Sequence, residues 1–570
     1  MVEHTVAVGD ANWNSDIEMA RVASTNEIEW FANTDVVIVG CGGAGISAAL
    51  QAKEEGAEVI ALDRFSGGGS TAVNGGIFYG GGGTRWQREA GVEDSVEDMF
   101  QYLRMETQGV VSDAVLRRFC ENSVDDSEWM ARHGVRFASR VYPAKTSYPH
   151  TSYYLYHSDS SLCAPYRDVA KPAPRGHRAF MPGTSSAEGY GAGLYFPMQE
   201  SAEKLGVKIM RNAEVRRLIL DANGSVLGVE VDWLPEGSPG KAEYQRMTQR
   251  SQFWTRLLPP VYPGGALTRK YGARLMAKAS DIEQRSRKRI AIRAARGVVL
   301  STGGFVYNQR MLASEAPAYA AGMPMGTMGD TGAGIRLGQT AGGAVDLMHH
   351  CSAWRFLNPP AAWPQGVLVN AKGARFVNET YYGAAIGSTM VEQHGGKSWL
   401  ICDAELIRQA RQQIRHAEIL PFQRYPAMLA MLFGRTKART LDALAQKMGF
   451  DRQVFAETIN AYNRAARGEA KDPFGKSGNE LHAFERGPFY AIDMSITAKY
   501  QPLPVMTLGG LKVDENSGQV LRNDGAIIAG LYAAGRTAIG ICSNIYVSGL
   551  SVADCIFSGR RAGKHAAHNT

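Results

Sequence analysis

The feature that most constrains the fold is a glycine pattern that follows a short apolar run near the N-terminus. Residues 36–39 are all β-branched and lie between a charged residue and a glycine, which predicts a buried parallel strand. Gly40, Gly42 and Gly45 follow with the G-x-G-x-x-G spacing, where a strand should lead into a helix. Such glycines let the backbone approach a pyrophosphate, and the helix N-terminus offers amide donors and a positive dipole end. The pattern therefore predicts a nucleotide-binding turn.

The residues after this turn complete a strand–helix–strand unit. Residues 46–55 predict a helix, and residues 58–62 predict a second strand that ends at Asp63. Asp63 follows Gly45 by 18 positions, close to the spacing at which a carboxylate meets the ribose hydroxyls of a dinucleotide. We therefore expect a bound dinucleotide, with its pyrophosphate on the glycine turn and its adenosine ribose on Asp63.

Later segments favour a flavin dinucleotide over NAD. Residues 64–76 form a loop rich in glycine and hydroxyl groups, which suits a long, embedded cofactor that needs close backbone approach. Residues 297–305 have the pattern of another apolar strand, ending in Thr-Gly-Gly, and residues 529–536 end in Ala-Gly-Arg. Residues 548–554 predict a loop that leads into a helix, whose N-terminal amides suit the pyrimidine edge of an isoalloxazine ring.

The expected cofactor-binding residues come from these segments and from one further strand. Residues 210–217 predict the strand that lies beside the adenine. The cysteines have no C-x-x-C or other metal-ligand spacing, so no metal site is expected. The cofactor-binding residues are expected to be Gly40, Gly42, Gly43, Ala44, Gly45, Asp63, Arg64, Ser70, Thr71, Asn74, Gly75, Gly76, Val215, Thr302, Gly303, Gly535, Arg536, Ser551 and Val552.

Over most of residues 34–567 the chain resembles the superfamily of FAD-dependent fumarate reductases and 3-ketosteroid dehydrogenases. The motifs described above carry the resemblance, together with residues 366–379 and 506–514 in the same order along the chain. The resemblance implies FAD as the cofactor and an α/β fold. In that fold a Rossmann-type, glutathione-reductase-like FAD domain carries an α+β cap domain of the fumarate reductase flavoprotein type.

The chain is expected to be divided into four parts. Residues 404–416 and 451–466 have helical patterning and fall in the expected cap. The parts are an acidic N-terminal lead-in at 1–33, the first part of the FAD-binding domain at 34–346, the cap (substrate) domain at 347–500 and the second part of the FAD-binding domain at 501–570.

One position separates the branches of this superfamily. In the fumarate reductase branch an arginine near the C-terminal glycine motif binds a dicarboxylate, and alignment of that motif places Tyr546 at the arginine position. A phenol cannot neutralise a carboxylate, but it can carry a proton. The sequence therefore disfavours small di-acid substrates. A fumarate- or urocanate-like olefin reductase remains an alternative, because such an enzyme needs cationic groups and the chain offers Arg175, Arg178 and Arg536.

The Tyr-Val-Ser segment that starts at Tyr546 resembles instead the 3-ketosteroid Δ4-(5α)-dehydrogenase branch, in which such a tyrosine and serine lie over the flavin. In that branch a third tyrosine comes from the cap, and Tyr382 is favoured here over Tyr381. The resemblance thus implies Tyr382, Tyr381, Tyr546 and Ser548 as the catalytic set. Five other tyrosines could line the pocket or pack in the core, and the sequence does not decide between these roles. They are Tyr148, Tyr153, Tyr154, Tyr156 and Tyr166.

The expected reaction is dehydrogenation of a saturated 3-ketosteroid between C4 and C5. Tyr382 or Tyr546 would take the C4 proton, Ser548 would relay it towards solvent, and the C5 hydride would pass to the flavin. The alternative within the superfamily is a C1–C2 double bond, with the amide of Gly509 or Gly510 on the ketone. A flavoprotein that binds a ligand without turnover is a third hypothesis. The sequence does not identify the electron acceptor.

Composition predicts a cytoplasmic protein with reduced, buried thiols. A chain of 570 residues with 45% apolar content can bury two cores. The seven cysteines are scattered and odd in number, which disfavours a secreted disulfide framework. The N-terminal residues show no export-signal pattern, and the sequence has no apolar run of about 18 residues that would span a bilayer.

A basic segment at about 235–293 has the features of an insertion in the FAD-binding domain. Residues 241–293 carry 13 lysines and arginines against three acidic residues, in a chain whose net charge is +7. No nucleic-acid-binding motif accompanies it, so a nucleic-acid partner is not expected. Three interpretations of the segment remain: peripheral contact with the inner face of the membrane, a solvated loop, or an oligomer contact. Apolar residues among the charges are Trp254, Leu257, Leu258, Val261 and Tyr262.

Overall fold

A computed structural model describes residues 17–181, 190–258, 264–416 and 418–569. Residues 1–16 of the expected lead-in lie outside the described residues, as do Val261 and Tyr262 of the basic segment. The strands are β1 (Arg21–Val22), β2 (Trp30–Val39), β3 (Val59–Asp63), β4 (Ile77–Tyr79), β5 (Leu155–Tyr156), β6 (Gly176–Arg178), β7 (Lys208–Arg211), β8 (Ala213–Leu220), β9 (Val226–Trp233), β10 (Lys288–Leu300), β11 (Met323–Pro324), β12 (Val345–Asp346), β13 (Cys351–Ala353), β14 (Val367–Val369), β15 (Trp399–Asp403), β16 (Arg435–Ala438), β17 (Phe489–Asp493), β18 (Pro504–Thr507), β19 (Gly510–Leu511), β20 (Gln519–Leu521) and β21 (Ile527–Ala533).

Helices cover both the large sheet and the smaller ones. They are α1 (Gly43–Glu54), α2 (Gly69–Val73), α3 (Arg85–Glu89), α4 (Val96–Thr107), α5 (Asp113–Arg132), α6 (Tyr166–Val169), α7 (Tyr190–Lys204), α8 (Lys241–Leu257), α9 (Gly265–Ser286), α10 (Gln309–Glu315), α11 (Ala333–Thr340), α12 (Gly383–His394), α13 (Ala404–Gln413), α14 (Pro421–Phe433), α15 (Leu441–Met448), α16 (Arg452–Ala466) and α17 (Leu550–His568). No helix in the described ranges is both long enough and apolar enough to cross a bilayer.

The large sheet is built around the predicted strand–helix–strand unit. Its strand order is β1-β8-β9-β10-β2-β3-β7, with β21 beside β10 and β20 beside β21. β2 and β3 pair in parallel from Val36 opposite Val59, and α1 connects them. Val36, Val37 and Ile38 are fully buried, as expected for a parallel strand covered on both faces. The prediction of this unit is confirmed, and β2 begins earlier than expected, at Trp30.

The prediction of a single strand at 210–217 is wrong. The segment is divided between β7, which pairs with β3, and β8, which pairs with β1 and β9. Asn212 lies between them with a φ of +53°, a left-handed conformation that asparagine tolerates better than most residues. Its amide donates to the carbonyl of Phe65, which fixes the break next to the end of β3.

Two segments expected as loops contain helices. The glycine-rich segment at 64–76 contains the short helix α2. The basic segment forms a hairpin of α8 and α9, in which Ser251 Oγ donates to the carbonyl of Gly272 at 2.8 Å. A Cβ at Gly272 would overlap the Thr255 hydroxyl, so glycine allows the two helices to approach closely. This hairpin, residues 241–286, is called the α8–α9 hairpin below.

A second, four-stranded antiparallel sheet lies within residues 367–493, in the order β14-β15-β17-β16. The helices predicted at 404–416 and 451–466 are confirmed as α13 and α16. Leu400, Ile401 and Ile492 are fully buried at the centre of this unit. It has its own hydrophobic core, separate from the core around α1.

The C-terminal helix α17 packs against α1 through glycines. A Cβ at Gly559 would overlap the carbonyl oxygen of Ala44, and a Cβ at Gly563 would overlap that of Ala48. Because these obstacles are backbone atoms of a buried helix, they cannot move aside without displacing α1. The contact holds the middle of α17 against the first turns of α1.

We expect Gly563→Ala to destabilise the fold, because the added methyl group would separate α17 from α1. Overpacking of this kind costs on the order of 1–3 kcal/mol. The thermal unfolding midpoint of the purified protein should fall accordingly. Lys564→Ala is the matched control, since the Lys564 side chain is 67% exposed on the same helix. Equal midpoints for the two variants would contradict the role given to this contact.

Candidate active site and cofactor cavity

A cavity of about 970 Å³ opens at the carboxyl ends of β2 and β3, where ligands bind in open α/β sheets. Thirteen of the predicted cofactor residues line it, whereas Gly45, Asn74, Gly75, Gly76, Ser551 and Val552 do not. The thirteen are Gly40, Gly42, Gly43, Ala44, Asp63, Arg64, Ser70, Thr71, Val215, Thr302, Gly303, Gly535 and Arg536.

The glycine turn has the shape that a pyrophosphate requires. Gly40 has a φ of +91°, and a Cβ there would lie 2.7 Å from the carbonyl oxygen of Ser301. A Cβ at Gly45 would overlap the carbonyl oxygen of Gly40, so Gly45 permits α1 to start against the strand. Gly42 faces the cavity, and the nearest atom to a Cβ there would be 3.8 Å away. A side chain at Gly42 would therefore fill space that a cofactor needs.

Asp63 organises the backbone around the cavity. Its carboxylate accepts hydrogen bonds from the amides of Cys41 at 3.0 Å, Phe65 at 2.8 Å and Gly67 at 3.0 Å. A carboxylate has about four acceptor sites, so three amides leave capacity for a ribose hydroxyl. The position of Asp63 is thus compatible with the predicted ribose contact. Its three hydrogen bonds from backbone amides also fix the surrounding loop, a structural role that the sequence did not indicate.

Arg64 is occupied by acidic side chains. Its Nε lies 3.2 Å from Glu214 and its Nη1 pairs closely with Glu283 on α9. Burial alone would lower the pKa of Arg64, but the two carboxylates raise it above its ordinary value. Arg64 remains a lining residue whose charge is already neutralised.

The opposite end of the cavity contains Arg536 and Asp330, and sequence reasoning missed Asp330. Arg536 Nη2 donates to Asp330 at 2.7 Å, and the other carboxylate oxygen of Asp330 accepts from Ser70 Oγ at 2.5 Å. Arg536 Nη1 is buried without a hydrogen-bond partner among the described residues. Burial would lower the pKa of Arg536, but Asp330 raises it. This unpartnered donor suits an oxygen of a bound cofactor.

Three of the four predicted catalytic residues, Tyr382, Tyr546 and Ser548, meet at the N-terminus of α17, outside the lining of this cavity. The rings of Tyr382 and Tyr546 lie 6.4 Å apart, centroid to centroid. The Ser548 hydroxyl lies 2.9 Å from the Tyr156 hydroxyl, and the amide of Gly549 donates to the Tyr546 hydroxyl at 3.1 Å. We call Tyr156, Tyr382, Tyr546 and Ser548 the tyrosine cluster. Sequence reasoning had left Tyr156 among several tyrosines, and no local pattern distinguishes it from them.

Tyr381 lies apart from the tyrosine cluster. Its hydroxyl donates to the carbonyl of Ala164 at 3.0 Å, and its ring packs edge-on to Tyr166 at 5.7 Å. Tyr382 instead starts α12, and its amide donates to Ser160 Oγ at 2.9 Å. Tyr382 thus belongs to the tyrosine cluster and Tyr381 does not, while the catalytic role of Tyr382 stays a prediction.

The wall beside the tyrosine cluster is aromatic. The Trp354 ring lies 4.9 Å from the Tyr546 ring, and Phe356 lies 6.0 Å from Tyr382. The indole N–H of Trp354 is buried and has no hydrogen-bond partner within the described ranges. Apolar side chains with a few available polar atoms are typical of the lining of a site for a large apolar molecule.

The tyrosine hydroxyls are neutral in their protein environment. Burial raises the pKa of Tyr546 to about 12, despite the hydrogen bond from Gly549. Burial also raises the pKa of Tyr382 and of Tyr156 above the ordinary value, while Ser548 opposes the shift at both. A tyrosine that takes a proton from C4 near neutral pH needs a lowered pKa. These residues by themselves raise the pKa instead.

Two of the arginines that suggested a small-acid substrate have other partners in the structure. Arg175 forms a fully buried pair with Asp94, with Nη2 2.7 Å from the carboxylate. Arg178 donates to the carbonyls of His150 at 3.0 Å and Thr151 at 2.5 Å. These contacts hold the loops around β6 and count against a role in binding a dicarboxylate.

Comparisons with known proteins agree with this geometry. A family model described as "FAD binding domain" matches residues 35–549. The chain is 37% identical over 543 residues to 3-oxo-5-alpha-steroid 4-dehydrogenase of Comamonas testosteroni, covering 91% of this chain and 95% of that one. It is 27% identical over 578 residues to 3-oxosteroid 1-dehydrogenase of Mycolicibacterium smegmatis, covering 90% and 93%.

A solved structure is similar over almost the whole chain. It is 3-ketosteroid-delta4-(5alpha)-dehydrogenase from Rhodococcus jostii RHA1 in complex with 4-androstene-3,17-dione. The TM-score is 0.78 at 30% sequence identity, with 96% of this chain and 100% of that chain covered.

We expect Gly42→Val to abolish flavin binding while leaving the fold intact. Gly42 has φ −88° and ψ −160°, which valine adopts without strain, and its Cβ would meet no protein atom closer than 3.8 Å. The branched side chain would occupy the cavity instead. The purified variant should carry less than about a tenth of the bound flavin, a loss corresponding to roughly 1.4 kcal/mol or more. Normal flavin content would show that the cavity beside Gly42 is not the cofactor site.

Proposed function

Because the chain belongs to the FAD-binding family whose model covers residues 35–549, we propose that it is an FAD-dependent 3-ketosteroid dehydrogenase that introduces the C4–C5 double bond. The family match confirms three predictions made from the sequence, namely the superfamily, the α/β flavin-binding fold and FAD as the cofactor. The protein is thus an FAD-dependent oxidoreductase.

The observation that carries the proposed reaction is the tyrosine cluster. Tyr382 at the N-cap of α12, Tyr156 in β5, and Tyr546 and Ser548 before α17 converge from three separate parts of the chain. Phenols and a serine hydroxyl can transfer protons, and the aromatic wall of Trp354 and Phe356 suits a fused hydrocarbon ring system. The named relatives act on such ketosteroids, at the C4 position in the 37% identical one.

The glycine turn, Asp63, and the Arg536–Asp330 pair would hold FAD. When bound, the flavin accepts the hydride that leaves the substrate. The residues of this chain then have two tasks, which are to orient the substrate and to remove its proton. Tyr382 or Tyr546 takes the proton from C4, and the Ser548 hydroxyl, hydrogen-bonded to Tyr156 at 2.9 Å, relays it onward.

The other members of the superfamily fit the site less well. For C1–C2 dehydrogenation, Gly509 or Gly510 was the expected amide donor to the ketone. Gly510 pairs with Asp346 in the β12–β19 ladder, and a Cβ at Gly509 would overlap the carbonyl of Leu347, so both glycines pack closely against neighbouring backbone. For a fumarate- or urocanate-like reductase, the available arginines are held by Asp94, by carbonyl groups and by Asp330.

We expect Tyr382→Phe to lower the rate of flavin reduction by about 10²–10⁴-fold, because the phenol that accepts the C4 proton is lost. The measurement is anaerobic bleaching of the flavin by a 5α-saturated 3-ketosteroid. Tyr381→Phe is the matched control, since the Tyr381 hydroxyl donates to the carbonyl of Ala164, outside the tyrosine cluster. Equal losses in both variants, or a product that contains only the C1–C2 double bond, would contradict the proposal.

The rate of flavin reduction should rise with pH from neutral to alkaline conditions. Burial raises the pKa of Tyr382, so the neutral phenol dominates at neutral pH and the phenolate fraction grows as pH increases. The slope should disappear from the residual activity of Tyr382→Phe. A profile that falls with increasing pH would exclude a tyrosine as the base.

We further propose that one end of the α8–α9 hairpin contacts an anionic membrane surface, where apolar steroids accumulate. This end, called the tip, carries Phe253 and Leu267. Phe253 is 58% exposed and Leu267 is 72% exposed, while exposed arginines such as Arg250 and Arg269 lie on the same two helices. Trp254, expected as an anchor, packs between Phe253 and Tyr271 instead. Basic residues also pair with acids, as Arg287 does with Glu214 and Asp232, so less charge is available than the sequence suggests.

The membrane proposal is tested by co-sedimentation with anionic and with neutral vesicles at low salt. Phe253→Ser with Leu267→Ser should weaken binding to anionic vesicles at least about tenfold, because burial of each large apolar side chain contributes roughly 1.5–3 kcal/mol. The matched control changes a second exposed apolar surface, on α14, where Phe422 is 52% and Phe433 is 66% exposed. Loss of binding only in the α14 variant would contradict the assignment to the hairpin.

A further inference from the structure

The α8–α9 hairpin is attached to the FAD domain where β3 ends and β8 begins. Lys241, at the start of α8, is buried and donates to Asn212 Oδ1 at 2.6 Å. Asn212 Nδ2 in turn donates to the Tyr244 hydroxyl at 3.2 Å. From the other helix, Glu283 is 3% exposed and pairs with Arg64, the residue after Asp63. Buried charge pairs of this kind fix geometry, because breaking one leaves an uncompensated charge.

Apolar packing supports the same attachment. Tyr244, Met276 and Ala279 form a small core with Leu234. Met328 packs against this core and belongs to the loop that precedes Asp330. The base of the hairpin is therefore a rigid part of the FAD domain, whereas the exposed apolar residues lie at its tip.

The hairpin forms part of the cofactor cavity. Tyr244 and Thr248 of α8, with Ser280 and Gln284 of α9, line the same cavity as Gly42 and Asp63. These four side chains are uncharged and carry hydroxyl or amide groups. In a Rossmann-type unit the adenosine lies beside the end of the second strand, here β3, so these residues face the adenosine half of the cavity.

We propose that the α8–α9 hairpin is a fixed cover over the adenosine half of FAD, with Tyr244, Thr248, Ser280 and Gln284 as additional cofactor-binding residues. Hydroxyl and amide groups provide the donors and acceptors that adenine and ribose need. The arginines and lysines of α8 and α9 that are exposed, such as Arg250 and Lys270, face solvent instead. The segment that looked like a peripheral insertion thus determines how firmly the protein retains its flavin.

The test compares FAD with FMN, which lacks the adenosine half. The full-length protein is stripped of flavin and titrated with each, and the dissociation constants are measured from flavin fluorescence. Thr248→Val with Gln284→Ala should raise the dissociation constant for FAD roughly tenfold or more, at the usual strength of two hydrogen bonds. The dissociation constant for FMN should stay the same. Arg250→Ala with Lys270→Ala, on the outer side, should change neither.

A second variant tests the same contact by steric exclusion. Ser280→Phe places a ring in the adenosine half and should weaken FAD strongly but leave FMN binding unchanged. Far-UV circular dichroism of each flavin-free variant checks that the hairpin is folded. The proposal is overturned if FAD and FMN affinities change together, or if neither variant affects FAD. Because no steroid is present, these outcomes do not depend on the proposed reaction.

Discussion

The close contact between α1 and α17 is the interaction on which the site depends. Gly559 and Gly563 allow α17 to lie directly on the backbone of α1 at Ala44 and Ala48. This contact fixes the helix that follows Tyr546 and Ser548 against the helix that follows the nucleotide-binding turn. Any side chain larger than hydrogen at these two glycines would change the distance between the two halves of the site. The geometry between cofactor and catalytic groups is therefore fixed by helix packing.

The site separates charge from apolar surface. In the cofactor cavity, the guanidinium groups of Arg64 and Arg536 are balanced by Glu214, Glu283 and Asp330. In the tyrosine cluster, the hydroxyl partners are a serine hydroxyl and a backbone amide, and burial keeps the phenols neutral. Charges are strong inside a low-dielectric interior and would disfavour a hydrocarbon ligand. The cofactor cavity therefore carries charged pairs, whereas the tyrosine cluster is built from uncharged side chains.

The basic segment shows how a single element serves two surfaces. The base of the α8–α9 hairpin is buried against the FAD domain through Lys241, Tyr244 and Glu283. Its tip carries exposed apolar residues and arginines. Net charge could not distinguish these regions, because the charge of a segment does not show which of its members have partners. Several basic residues pair with acids that lie far away in the sequence, such as Glu214 and Asp232.

The sequence by itself determined the strand–helix–strand unit and thirteen residues that line the cavity, and its resemblance to a known superfamily indicated FAD. The strand–helix–strand unit and its turn depend on local periodicity and on glycine spacing, which are properties of neighbouring residues. Tertiary structure alone decided the break at Asn212, the hairpin over the cavity, the Arg536–Asp330 pair and the place of Tyr156 beside Ser548. Each of these depends on contacts between residues distant in the sequence, and no local pattern encodes such contacts. Local sequence patterns therefore identify the residue types that suit the chemistry, whereas the fold determines which side chains contact one another.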